Sequence, residues 1–378
     1  MGYRKAAIIF ISVLTVFVGV NALVWFVWNR EITDPRRNAG DLLRIGYILG
    51  HVAPHQGIDD LPLRHIRGSE YKKQPVDMLT VGDSFSSGGG GGRNSHYQDY
   101  IASLQGLTVL NVPGDIIFGT EASFFPIVTV SKLINSGYLD LIKPKYLLLE
   151  SVERFAIQRL TKEFSLQETA TIEEIDRTFR EQRTDDKKGI EKQNTGKQSK
   201  DSTLELHFIN NGNWKFIGNN LQYLFSDRAL GSKVIISKLN RRFFNTVPGD
   251  QLFFHVDEIK NYKFSTPASI AEANQNLNRL AAVLKTKGIT LVFMPIVNKL
   301  NLYEPYLRKR RYPRSIFFEE LRKLPKEYLL IDTKEILSRA LENGELDIYH
   351  SDDSHWTWKA SEAIFSSIRI SEMSHAAH

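Results

Sequence analysis

The chain contains no cysteine, which excludes disulfides and thiolate metal sites and leaves it compatible with an oxidising compartment. Metal-ligand spacing is also missing. His51, His55, His65 and His96 show neither the intervals nor the helical pairing of a ligand set, so no metal and no cofactor is expected. The net charge of +6 comes without a recognition motif or basic-aromatic pattern for nucleic acid. Nucleic acid is therefore not an expected partner, whereas anionic headgroups or an acidic glycan suit the charge. The glycine run Gly88–Gly92 lacks the Gly-Lys-Ser/Thr that completes a phosphate-binding loop, and a flexible hinge is expected there. There is no internal repeat.

Charge is absent altogether from Ala6 to Trp28. At 1.5 Å per residue that run reaches roughly 35 Å, enough to cross a bilayer. Arg4 and Lys5 precede it, and Trp25 and Trp28 close it where interfacial aromatics belong. The bulky Trp25-Phe26-Val27-Trp28 stands where a signal-peptide cleavage site would need small residues. Residues 1–29 are thus expected to form an uncleaved anchor in the cytoplasmic (inner) membrane. The short basic N-tail would stay in the cytoplasm, with the body facing the periplasm or cell exterior.

What is present beyond the anchor is globular: 42% of residues are hydrophobic and 24% charged. Residues 30–74 read as an irregular juxtamembrane segment. Apolar runs at Pro75–Val81, Leu107–Val112, Tyr146–Leu149, Thr290–Pro295 and Tyr328–Ile331 read as five strands. Helical spacing falls between them, at His96–Leu104, Thr120–Ile134 (kinked at Pro126), Ser269–Lys285, Thr333–Leu341 and Trp356–Ile368. The alternation predicts an α/β domain over 75–378, with a parallel sheet covered by helices on both faces. An insertion at about 155–268 interrupts it. Its polar part, 162–204, reads as solvated, and its aromatic-rich part, 205–265, as a cap or lid over the core.

In such sheets ligands bind beyond the carboxyl ends of the strands. Gly82-Asp83-Ser84 follows the first predicted strand, Gly114 the second, Glu150–Arg154 the third and Asn298-Lys299 the fourth. Asp352-Asp353-Ser354-His355 lies downstream of the fifth. A serine hydroxyl becomes a nucleophile when a histidine takes its proton, and the far ring nitrogen of that histidine is held by a carboxylate. Ser84, His355 and Asp352 fit these roles, with Asp353 as the alternative carboxylate. Backbone N–H groups of Ser84 and Gly114 are the natural oxyanion donors.

These residues carry a resemblance. Val81-Gly82-Asp83-Ser84-Phe85-Ser86 resembles the first block of the SGNH (GDSL-type) hydrolase superfamily, Asn111-Val112-Pro113-Gly114-Asp115 its second, and Asp352-Asp353-Ser354-His355-Trp356 its last. The resemblance covers residues of about 76–150 and 280–368. It implies a flavodoxin-like three-layer sandwich, a Ser84–His355–Asp352 triad and an oxyanion contact from Gly114. The third block of the superfamily carries an oxyanion asparagine. None stands in Leu149-Glu150-Ser151-Val152-Glu153-Arg154, so Arg154 or Asn298 is expected to replace it. In plan the chain is similar to membrane-anchored branches of the superfamily, the alginate O-acetylation proteins and the D-alanyl-transfer protein of teichoic acids. That implies a serine acyltransferase working through acyl-Ser84 on a cell-envelope polysaccharide, with its acyl donor delivered by an integral-membrane acyltransferase. A tethered esterase and a silent glycan-binding scaffold are the alternatives.

Overall fold

The computed structural model describes residues 2–34, 39–50, 55, 60–113, 126–162, 164–180, 208–210 and 212–376. Eight strands are numbered in chain order: β1 Ile66–Arg67, β2 Met78–Gly82, β3 Val109–Pro113, β4 Tyr146–Val152, β5 Val234–Lys238, β6 Gln251–His255, β7 Thr290–Ile296 and β8 Leu329–Leu330. Met78-Leu79-Thr80-Val81, Leu147-Leu148-Leu149 and Leu291-Val292-Phe293-Met294 are buried throughout rather than alternately. This is the signature of parallel strands covered on both faces. They form a six-stranded sheet in the order β1-β3-β2-β4-β7-β8, and every pairing in it is parallel.

Helices flank the sheet in two groups. Tyr97–Gln105, Thr333–Glu342 and Trp358–Ser367 pack together, while Pro126–Asn135, Glu153–Leu160, Pro267–Lys285 and Phe317–Lys323 form the other group. All five expected strands are present. Of the helix expected over Thr120–Ile134, the described part is Pro126–Asn135. The stretch 120–125 of that expected helix lies outside the described residues, as do 181–204 of the polar segment and 205–207 of the aromatic-rich one.

The chain leaves β2 toward β3 on one side of the sheet, and β4 lies on the other side of β2. The carboxyl end of β2 therefore sits at the point where strand order reverses, the position where open α/β sheets place their crevice.

Two expectations need correction. Residues 30–74 are not wholly irregular, because they hold a short helix, Asp41–Gly46, and the edge strand β1. The insertion, in turn, is not simply a lid. Its antiparallel β5–β6 pair and its helix Gly212–Tyr223 build a second apolar cluster with the N-terminal segment. Val24, Trp28, Leu42, Leu43, Tyr47, Phe216, Val234 and Phe253 are among its buried members.

The N-terminal helix runs from Tyr3 to Ile32, with mean hydropathy 2.5 over its most apolar window, and is long and apolar enough to span a membrane. Its outer part is exposed, whereas its inner end docks on the body. The Trp28 indole donates to the Ile48 carbonyl (2.9 Å) and stacks on Tyr47 and Phe216 at 5.3 and 5.0 Å. Asn213 bridges two polar side chains of the same helix. Its amide donates to Asn21 Oδ1 (2.7 Å), and its Oδ1 accepts from Asn29 (3.0 Å). A wider turn at Trp25–Asn29 carries Trp28 and Asn29 onto this face.

Removing the Trp28 ring would open a cavity in that cluster. Trp28→Ala is expected to destabilise the detergent-solubilised protein by about 3–5 kcal/mol, as is usual for a buried tryptophan. Phe26→Ala, on the exposed face, should leave the thermal midpoint nearly unchanged.

Candidate active site

The turn after β2 is built on a buried charge network. Asp83 Oδ2 accepts from Arg159 Nη1 (2.5 Å) and from the Val152 N–H (3.0 Å), while its Oδ1 caps the Phe85 N–H (3.2 Å). Burial opposes the Asp83 charge, but the Arg159 guanidinium outweighs it and holds the carboxyl down at about 2. Glu150 Oε2 accepts from the Asp83 N–H (2.9 Å) and the Ser86 hydroxyl (3.0 Å). Burial, with Asp83 nearby, pushes the Glu150 carboxyl well above its ordinary range. A side chain at Gly82 would collide with both partners, since its Cβ would lie 2.2 Å from Glu150 Oε2 and from Ser86 Oγ. The turn is thereby fixed from below, and Ser84 is exposed between buried Asp83 and Phe85.

His355 meets that serine. Its Nε2 lies 2.8 Å from Ser84 Oγ, and its Nδ1 lies 2.6 Å from Asp353 Oδ1. With Nδ1–H given to the carboxylate, Nε2 is left to accept the serine proton, the arrangement a general base requires. Burial alone would push the imidazole down, but the Asp353 charge outweighs it and holds His355 above its ordinary 6.5. Asp353 in turn lies well below the carboxylate range; burial opposes its charge, and His355 outweighs the burial.

Asp352, the carboxylate expected from its spacing, does not face His355. Its Oδ2 accepts from the Gly40 N–H (3.0 Å) and its Oδ1 from His55 Nε2 (3.1 Å). The reason is local. Asp353 Oδ1 also caps the His355 N–H (2.9 Å), so one oxygen meets both the backbone and the ring of the residue two ahead. That tight turn directs Asp352 away from the ring.

The loop is clamped by the segment that follows the N-terminal helix. The first N–H groups of helix Asp41–Gly46 find no partners within the helix, and they turn to this loop. Asp41 N–H donates to Asp353 Oδ2 (2.9 Å), and Leu42 and Leu43 N–H donate to the Asp352 carbonyl (3.1 and 3.3 Å). The Asp41 carboxyl returns the contact, taking the Ser354 N–H (2.7 Å) and hydroxyl (2.6 Å). Burial and the adjacent Asp353 push the Asp41 carboxyl upward.

On the other side, buried Lys299 donates to the carbonyls of His350 (2.6 Å), Asp353 (3.0 Å) and Ser351 (3.2 Å), and burial pulls its ammonium down to about 8. Asp41, Asp353 and His355 bring ligand atoms within 4.8 Å of one another. Their hydrogen bonds within the loop account for that proximity without a cation.

The glycine run is packed rather than hinge-like. A Cβ on Gly89 would lie 2.3 Å from His355 Cδ2, so only glycine lets the backbone lie against the imidazole. The Gly90 carbonyl is held by His55 Nδ1. Both His55 nitrogens thus face acceptors, an arrangement that an imidazolium satisfies completely. Burial works against that charge, and Asp352 outweighs it, so His55 titrates above its ordinary value. The His55 ring stacks on His350 at 3.8 Å, and His350 is kept neutral by burial, down to about 3.

Of the remaining expected residues, Gly114 lies outside the described ones. Arg154 borders the site: its charge acts to lower the pKa of His355, its guanidinium lies 5.3 Å from the Phe155 ring, and its N–H donates to Asn298 Oδ1 (3.3 Å). Asn298 is itself buried, and its N–H donates to Glu153 Oε2 (2.8 Å). These bonds make Asn298 a brace between the ends of β4 and β7. Asp41, His55 and Lys299 carry no motif in the sequence, and their roles emerge only from the fold. A cavity of about 410 Å³, lined by Leu49, Thr246, Pro248, Phe253 and Asp352, opens on the Asp352 side of the loop.

Comparison of the chain with protein-family models, with curated proteins and with solved structures gave no match in any of the three.

The two aspartates are separable by experiment. Asp353→Asn removes the charge that stabilises the imidazolium and should slow phosphonylation of Ser84 by a fluorophosphonate by about 10²–10⁴-fold. Asp352→Asn keeps a carbonyl acceptor for Gly40 and should have a far smaller effect. A pH profile adds a second readout. His355 acts only when unprotonated, so labelling should rise with pH through a value above 6.5. In Asp353→Asn that limb should move to lower pH, because the group that raised the imidazole pKa is gone.

Proposed function

We propose that the chain is a membrane-anchored serine acyl-ester enzyme of the SGNH type. Its reading as an acyltransferase is that it moves an acyl group, acetyl in the first instance, onto a polysaccharide of the cell envelope. The observation that carries this reading is the hydrogen-bonded series Ser84–His355–Asp353 at the carboxyl end of β2. The flavodoxin-like assignment rests on strand order. Counting β2, β3, β4, β7 and β8 as first to fifth, the sheet runs 2-1-3-4-5, with β1 added at the edge.

In the first half-reaction the Ser84 hydroxyl attacks the ester carbonyl of the donor while His355 Nε2 takes its proton. The tetrahedral adduct collapses to acyl-Ser84, and the same proton passes to the leaving alcohol or thiol. In the second, a sugar hydroxyl gives its proton to His355 and attacks the acyl carbonyl, and the proton returns to Ser84. Asp353 keeps its charge throughout and stabilises the imidazolium. Arg154 supplies positive charge beside the site, and the Ser84 and Gly114 N–H groups are the proposed oxyanion donors.

Transfer is favoured over hydrolysis by the nearness of the site to the membrane. Asp41 touches Asp353, and Tyr47, one helix length away, stacks on Trp28. Six residues of helix span about 9 Å, so the triad lies within roughly 20 Å of Trp28, at the body end of the anchor helix. A donor carried by an integral-membrane acyltransferase would arrive there. The basic N-tail, Arg4 and Lys5, supports an anchor in the cytoplasmic membrane with the body on the periplasmic or exterior side.

Purified protein given an activated acetyl ester should pass acetyl to an envelope oligosaccharide faster than to water. Ser84→Ala should abolish both reactions. Free acetate as the sole product across several glycan acceptors would make the protein an esterase. Absence of any serine adduct with every donor tried would remove the enzyme reading.

A further inference from the structure

Helix Gly212–Tyr223 is apolar on the face it turns outward. Asn213, Phe216 and Asn219 point inward and are buried. Trp214, Leu221 and Leu224 lie on the outward side and are exposed, while Ile217 packs against the inner cluster. Phe225 and Leu230 extend this surface and are 92% and 95% exposed. Leu230 is tied to the helix through its N–H, which donates to Gln222 Oε1 (2.8 Å). Single exposed hydrophobes are ordinary, but five on one short helix and the turn after it mark a surface that is covered in use.

The position of the helix indicates what covers it. Its first turn is bonded to the apolar N-terminal helix through Asn213 and Asn21 (2.7 Å), and Phe208, just before it, meets Trp25 edge-on at 6.0 Å. Val24 and Trp28 are buried in the body, so the apolar helix leaves it near Asn21, and on the anchor reading this contact sits at the depth of the bilayer surface. That depth is where in-plane amphipathic helices bury their apolar face.

We infer that helix Gly212–Tyr223, with Phe225 and Leu230, is an interfacial element that lies in the surface of the bilayer spanned by the anchor. The inference rests on the anchor reading and is independent of the catalytic one. With the anchor it gives the body a second membrane contact, so the body is held in a fixed orientation instead of swinging on a single helix.

The absence of cysteine permits a direct test in the full chain. Single cysteines at Leu224, Phe225 and Leu230 are labelled with an environment-sensitive fluorophore, and the purified protein is reconstituted in phosphatidylglycerol-containing vesicles with nitroxide lipids. Ile9→Cys, on the exposed face of the anchor, and Leu141→Cys, on the opposite rim of the sheet, serve as references. Labels at 224, 225 and 230 should be quenched by shallow nitroxides several-fold more than the label at 141, and shielded from aqueous iodide. Ile9, about 4.5 Å inside the other end of the uncharged run, should be quenched by shallow nitroxides as well. Quenching at Ile9 with water-accessible labels at all three positions would overturn the proposal and leave the anchor standing, pointing to a protein partner for this surface. Loss of quenching at Ile9 as well would remove the anchor and the proposal together.

Discussion

The candidate site depends on one shared carboxylate. Asp353 gives one oxygen to the backbone and ring of His355 and the other to the Asp41 N–H. Asp41 returns its own carboxyl to Ser354. The reciprocal clamp satisfies the orphan donors of a short helix and fixes the imidazole in one tautomer with the same bonds. Because the far end of that helix stacks on Trp28 through Tyr47, the geometry at Ser84 is linked mechanically to the N-terminal helix, which is long and apolar enough to span a membrane. An anchor attached by a floppy linker would have no such link.

Buried charge around the clamp is matched group by group. Lys299 is surrounded by carbonyls, His55 is set between Asp352 and the Gly90 carbonyl, and Asp83 is paired with Arg159 beneath the nucleophile turn. Breaking a buried pair costs far more than its net worth, so these groups specify geometry more than they add stability. The serine loop, the glycine run and the histidine loop are each held by such a group. The three loops come from distant parts of the chain and meet at the reversal of strand order.

Much of the scaffold was legible in the sequence because parallel strands buried on both faces leave unbroken apolar runs, as at Leu147-Leu148-Leu149. Ser84 and His355 were legible because each follows the core at a rim position. The orienting carboxylate was misassigned, because spacing alone cannot tell which of two adjacent aspartates a turn directs toward the ring. The Asp353 cap on the His355 N–H decides it. The glycine run looked like a hinge because composition reports backbone freedom and not the imidazole packed against Gly89. Lys299 was placed on the rim but given no role, and Asp41 left no trace, since a buried lysine or a helix-start aspartate looks like surface until its partners are placed. The aromatic part of the insertion was read as a lid. Its outward-facing apolar surface could be recognised only once its inner face was seen to pack on the anchor.

The central claim is that Ser84 is a nucleophile activated by His355 and Asp353. It is tested most directly by acid-quenching the protein moments after mixing with an activated acetyl ester and mapping the acetyl group by mass spectrometry of its peptides. The account predicts one acetyl adduct on Ser84, absent in His355→Ala and strongly reduced in Asp353→Asn. An adduct on another residue, or equal acetylation of Ser84 in wild type and His355→Ala, would contradict it.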